Sequence, residues 1–140
     1  GNISEVNFEI LKHQEDSYII DKDKIRNIKN NTTQKDFTEK LNMPGKYKIL
    51  HNKEELEAED IISSGDILQF EDGKTYTLIV AGDINQDGKV TAYDLSMLRK
   101  TILNVKELNE VEKLAADVNC DNNKIGAKDY SSMKLIILGK

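Results

Sequence analysis

The feature that leaves this chain least freedom is a duplicated acidic string, since Asp83 and Asp117 open two similar runs 117 − 83 = 34 residues apart. The first run, Gly82-Asp83-Ile84-Asn85-Gln86-Asp87-Gly88-Lys89-Val90-Thr91-Ala92-Tyr93-Asp94-Leu95, sets oxygen-bearing side chains at loop positions one, three, five and twelve, with glycine at six. A hard cation the size of calcium takes about six to eight oxygens. A loop winding round it offers side chains from alternate positions, a backbone carbonyl from the seventh and a closing carboxylate from the next helix. Asp83, Asn85, Asp87, the carbonyl of Lys89 and Asp94 fill those roles. Gly88 allows the sharp turn, and Val90 at the eighth position can pair with a partner loop. Asp94 stands where calcium loops usually carry Glu, and its shorter arm reaches the ion if the helix starts closer to it.

The second run, Asp117-Val118-Asn119-Cys120-Asp121-Asn122-Asn123-Lys124-Ile125-Gly126-Ala127-Lys128-Asp129-Tyr130, repeats the first three ligands and reaches its closing Asp129 one residue late. Asn122 replaces the turn glycine, which Asn tolerates better than other side chains because it visits the left-handed region more readily. Asp117, Asn119, Asp121, the carbonyl of Lys124 and Asp129 are the ligands expected here, and the extra residue predicts weaker binding. A frame starting at Asp121 would align Gly126 with the glycine position, but it puts Ile125 and Ser132 at ligand positions and is rejected.

Each loop leads into a helix with an apolar stripe: Leu95, Leu98 and Ile102 after the first, and Tyr130, Met133 and Ile137 after the second. Between them Glu107–Ala116 reads as a connecting helix. No helix precedes Asp83, because Thr75–Val80 reads as a strand. Upstream, Val6–Leu11, Tyr18–Ile20, Lys24–Ile28, Lys46–Leu50, Asp66–Phe70 and Thr75–Val80 are short β-branched or alternating runs. Asp72-Gly73 marks a hairpin between the last two. One helix interrupts them, Gln34–Leu41, capped by Thr33, with Phe37 and Leu41 on one face and Pro44-Gly45 ending it. The character changes at Ala81-Gly82 with no linker composition. The expected fold is therefore α+β in two modules: a small β-rich module, Ig-like or sandwich-like, over residues 1–80, and an all-α pair of loop–helix repeats over 81–140.

Those residues carry a family resemblance. Two loops with helices only after them, the Gly-Asp-x-Asn-x-Asp-Gly opening at Gly82 and the Asp-Leu-x-x-Leu entry at Asp94 make Gly82–Lys140 resemble a dockerin, the calcium module that plugs into cohesin domains of cellulosome scaffolds and related extracellular assemblies. Val6–Val80 looks like the β-rich X modules that precede dockerins. The resemblance implies two bound Ca2+ ions, a cohesin partner on a scaffold or cell-surface protein, and a secreted protein tied to polysaccharide degradation. It also implies partner contacts just before each closing Asp and one to two turns into each helix. Those positions are Ala92, Tyr93, Arg99 and Lys100 in the first repeat, and Ala127, Lys128, Lys134 and Leu135 in the second. Chemistry at three of the four pairs has diverged or shifted, which predicts one preferred orientation, led by the second helix.

Composition narrows the alternatives. A formal charge of −5 from 20 basic and 25 acidic residues argues against nucleic acid or an anionic membrane as partner. Cys120 is the sole cysteine, so no internal disulfide forms, and with no His or second Cys beside it a surface role is expected. No leader and no membrane-spanning run is visible, which reads as a soluble piece of a longer protein. The acceptor patterns at Asn30 and Asn31 are short enough to arise by chance. His13 and His51 are expected to be solvated, and Lys53–Asp60 to be a solvated loop. No catalytic cleft, nucleophile elbow or phosphate loop can be read, so the chain is not expected to be an enzyme. A free-standing calcium buffer or sensor lacks the paired helices it would need. A carbohydrate-binding accessory module lacks exposed Trp, there being none in the chain.

Overall fold

In the computed structural model, residues 18–41, 46–120 and 124–139 are described. The expected strand Val6–Leu11, His13, the side chain of Leu41, Pro44-Gly45 and Asp121-Asn122 lie outside them. Six strands, β1 (Ile19–Asp21), β2 (Lys24–Ile28), β3 (Tyr47–His51), β4 (Glu54–Glu55), β5 (Ile67–Phe70) and β6 (Thr75–Val80), form one sheet in the order β1-β2-β6-β5-β3-β4. All neighbouring pairs are antiparallel except β2 and β6, which run parallel. The α+β layout of two modules is present. Among the described residues of the first module the strands lie in one mixed sheet.

Helix α1 (Gln34–Leu41) begins where the Thr33 hydroxyl accepts the Asp36 N–H at 3.2 Å, and it delivers Phe37 into the sheet's core. That core gathers Tyr18, Ile25, Ile28, Ile49, Ile62, Leu68, Phe70, Tyr76, Leu78 and Val80. The hairpin between β5 and β6 turns on Gly73 at φ +92°, and Asp72 accepts the N–H of Lys74. Lys53–Asp60 is exposed apart from half-buried Leu56, with the unexpected short strand β4 inside it. His51 keeps its side chain 38% exposed and also has a partner: its Nδ1 pairs with the buried carboxylate of Asp66, which also accepts the Ser63 N–H.

Two irregularities decide how the sheet meets the C-terminal helices. In β2 the register slips between Ile25, opposite Leu78, and Ile28, opposite Val80, with Asn27 at φ +67°. The extra residue returns Ile28 to the side of Ile25, so both are buried in the first core. Arg26, between them, is left to the other side, where it is nevertheless almost wholly buried. On β6 the alternation sends Tyr76, Leu78 and Val80 into the first core and Ile79 into the second.

The second core collects Ile79, Ile84, Val90, Leu98, Leu108, Ala115, Ala116, Val118 and Met133. It is enclosed by α2 (Ala92–Ile102), α3 (Glu110–Ala116) and α4 (Ala127–Ile137), with α2 against α4 and α3 against β6. Helix α3 starts three residues later than its apolar run suggests, because Asn109 and Glu112 form a reciprocal capping box. In α4 the third inward residue is Ile136, not Ile137, which is exposed. Ile79 therefore joins the sheet to the helices by apolar contact. Ile79→Ala should cost roughly 2–5 kcal/mol in urea unfolding monitored by circular dichroism, and an unchanged midpoint would show that β6 does not serve both cores.

Candidate metal centre

The first acidic loop begins the moment β6 ends. Gly82, at φ +88°, turns the chain and donates its N–H to Ala115 at the end of α3, 2.8 Å away. The next side chain, Asp83, is fully buried. Its Oδ1 accepts the Asp87 N–H at 3.0 Å, and its Oδ2 accepts the Gly88 N–H at 2.8 Å and, from the first module, the Ser64 N–H at 2.9 Å. Asp94 closes the loop from the first turn of α2. Its Oδ1 accepts the Asn85 N–H and its Oδ2 the Thr91 N–H, both at 2.9 Å, so it is also the reciprocal partner of the Thr91 cap. Asp87 accepts from the Lys89 N–H and from the Asn85 amide, which leaves Asn85 Oδ1 buried with no hydrogen-bond partner among the described residues.

Carboxylate oxygens of Asp83, Asp87 and Asp94 all lie within 4.8 Å of one another. That spacing suits oxygens around one cation bound at about 2.4 Å to each. Burial pushes the Asp83 carboxyl up to about 6, against the pull of its backbone donors. Burial likewise raises Asp94, with the Asp87 charge adding to it. Ionised carboxylates held this way oppose folding unless positive charge arrives among them. The partnerless Asn85 oxygen, acceptor-only and turned inward, makes the same demand. The donor set fits calcium: hard oxygens from positions one, three, five and twelve, and Gly88 at φ +83° at the sixth.

The first module grips this loop directly. A Cβ on Gly88 would lie 2.6 Å from Ile61 Cγ2 and 2.8 Å from the Ile62 carbonyl oxygen, while the Gly88 carbonyl accepts the Asn31 N–H at 3.1 Å. Glycine at the sixth position is thus required twice, by the turn and by contact with the neighbouring module.

The second loop is arranged differently. Asp117, buried as expected of a first ligand, receives Arg26 Nη2 on its Oδ2 at 2.8 Å. Asp129 is buried on the first turn of α4 and accepts the Gly126 N–H. Asn119 and Lys124 are exposed, Cys120 is half-buried at φ +56°, and Asp121 lies outside the described residues. Ala92, Tyr93, Arg99, Lys100, Ala127, Lys128, Lys134 and Leu135 are all exposed, with Tyr93 at 65% and Leu135 at 50%. Sequence reasoning missed Ser64, Ile61 and Arg26, which with Asn31 and Ile62 are among the residues through which the first module reaches the loops.

Residues 81–138 match the family model described as dockerin type I domain. This segment is a dockerin. Dockerins are calcium-binding docking domains, not catalytic ones, and their family partner is the cohesin domain. The β-rich region ahead of this one fits the X-module likeness. No significant match to the chain was found among curated proteins or among solved structures. Among the described residues no helix is long and apolar enough to cross a membrane.

Gly88→Ala should weaken calcium binding about tenfold or more and lower the melting temperature, because the new methyl group enters the Ile61–Ile62 contact. Gly73→Ala, equally left-handed but with nothing within 4 Å, should lose some stability and leave calcium affinity unchanged. Calorimetric titration of both variants checks this, and equal calcium affinities would refute it.

Proposed function

We propose that this chain is a calcium-loaded docking unit that anchors its parent protein to a cohesin in a cellulosome-like extracellular assembly devoted to polysaccharide degradation. The observation that carries the reading is the first loop, where three carboxylates converge within 4.8 Å beside a buried, partnerless amide oxygen. Asp83, Asn85, Asp87, the Lys89 carbonyl and Asp94 hold one Ca2+. Asp117, Asn119, Asp121, the Lys124 carbonyl and Asp129 hold a second, more weakly. The docking domain runs from residue 81 to 140. Residues 1–80 form a companion that braces it, a division supported by two separate apolar cores.

The docking face lies on α2 and α4. Its expected contacts, Ala92, Tyr93, Arg99, Lys100, Ala127, Lys128, Lys134 and Leu135, stay clear of both cores. Leu135 at 50% exposure and Leu138 at 65% extend an apolar strip along α4, rimmed by Lys128 and Lys134. Such a strip suits a partner surface better than water. Arg99 and Lys100 supply rim contacts from α2, where Tyr93 is the sole large apolar side chain exposed within the helix. The two helices therefore offer unlike surfaces, and one orientation of the partner is preferred.

Pull-down against a panel of cohesins, with and without chelator, tests the whole reading: capture by at least one cohesin, abolished by chelation, is expected. Within the same assay Leu135→Asp should cost far more binding than Tyr93→Asp. Equal losses, or a loss only for Tyr93→Asp, would show that the orientation is shared or reversed.

A further inference from the structure

The second loop departs from the first at its leading carboxylate, and the departure comes from outside the dockerin. Arg26 is 91 residues upstream of Asp117, on β2, and its side chain is 1% exposed. Its Nη2 lies 2.8 Å from Asp117 Oδ2, in a pair whose other member is 7% exposed, and its Nη1 is 4.0 Å from Asp21 Oδ2 at the sheet edge. In the first loop the equivalent oxygen, Asp83 Oδ2, accepts a neutral backbone N–H from Ser64 of the same first module. The first module thus reaches the leading aspartate of both loops, with a dipole at one and a full positive charge at the other.

These two donors have different consequences for a metal. A backbone N–H fixes the carboxylate in place and adds no net charge, which favours the ligand geometry. A guanidinium also fixes it, but keeps a permanent charge close to where a dication must bind. Buried from water, that charge is poorly screened and cannot move away. Without metal, the same charge lies 2.8 Å from the buried Asp117 carboxylate and offsets its negative charge.

We propose that Arg26 is a resident counter-cation for the second loop: it substitutes for calcium at Asp117 when the ion is absent and lowers the loop's calcium affinity when the ion is offered. This rests on the calcium reading of the two loops. The unequal strength of the two sites is then set by the companion module as well as by the irregular spacing of the second loop. Arg26 acts through Asp117 and is a positioning residue, not a ligand.

The test is calorimetric titration of calcium into the full chain and into Arg26→Met, which keeps the apolar stem and removes the charge, with Arg26→Lys as the charge-keeping variant. The expected result is a first site unchanged in all three proteins. The second site should be about tenfold or more tighter in Arg26→Met and close to unchanged in Arg26→Lys. Thermal unfolding in chelator supplies the other arm: Arg26→Met should melt well below the parent chain without calcium, and saturating calcium should close most of that gap. If Arg26→Met folds only when calcium is present, calcium is standing in for the guanidinium, which supports the proposal. An unchanged or weaker second site in Arg26→Met overturns it, as does a variant that stays unfolded in saturating calcium. A parent chain that binds no calcium at either loop would instead sink the calcium reading itself, an outcome distinct from these.

Discussion

A carboxylate removed from water must be answered by donors or by a cation, and the fully buried Asp83 is the group around which this molecule is arranged. Three backbone N–H groups reach it, two from its own loop and one from Ser64 in the companion module. They hold its position without cancelling its charge, which is why burial still pushes its carboxyl up to about 6. Asp94 repeats the arrangement with the Asn85 and Thr91 N–H groups. Loop geometry, the start of α2 and the seam between the modules all converge on these two side chains. A dication among them would relieve the repulsion and strengthen all three features together, which would couple metal binding to folding of the C-terminal segment.

The seam needs no linker because secondary structure carries it. β6 places Ile79 in the helical core and Val80 in the sheet core, and the chain enters the metal loop three residues later. Ala81 still donates to the Ile28 carbonyl, and Ser64 Oγ both accepts from and donates to the backbone of Val80. Buried contacts of this kind contribute more than the Lys24–Glu110 pair, which spans the same seam at 3.5 Å with its carboxylate in solvent and adds little.

Much of this is legible in the sequence wherever the information is local. The first loop shows its candidate ligands by spacing, because a winding backbone turns positions one, three and five toward one centre, and carboxylate oxygens of Asp83, Asp87 and Asp94 lie together in the structure. Lys24–Ile28, Thr75–Val80 and Gln34–Leu41 are readable to the residue because turn and cap residues flank them. Errors arise where a non-local or subtle choice decides. Ile136 and Ile137 are adjacent in an apolar run, and only packing against the rest of the core selects the former. The partner of His51 could not be read because Asp66 is fifteen residues away, just ahead of β5. Arg26 is invisible for a sharper reason: in a strand of alternating pattern it reads as an outward charge. Only the bulge at Asn27 and the arrival of Asp117 on that side turn an outward position into a buried one.

The attachments of the companion module also bear on docking. It touches the dockerin at Asp83 and Gly88 of the first loop, at Asp117 of the second, and at α3 through β6. Each of these lies within a loop or on the connecting helix. Helices α2 and α4, which pack on each other, are reached from their inner sides by the common core, and their outer residues remain exposed. A brace placed at the loops can therefore stiffen the ligand geometry without competing for the helices a partner would use. It also removes the symmetry that duplication would otherwise create. The two loops meet one module through unlike groups, Ser64 and Arg26, so turning the dockerin by half a turn would not reproduce the whole molecule even if α2 and α4 carried identical side chains. In a bound assembly, any contact between the partner and the companion module would then be available in one orientation and lost in the other. The preference expected from the unlike surfaces of α2 and α4 is thereby reinforced by how the dockerin is held.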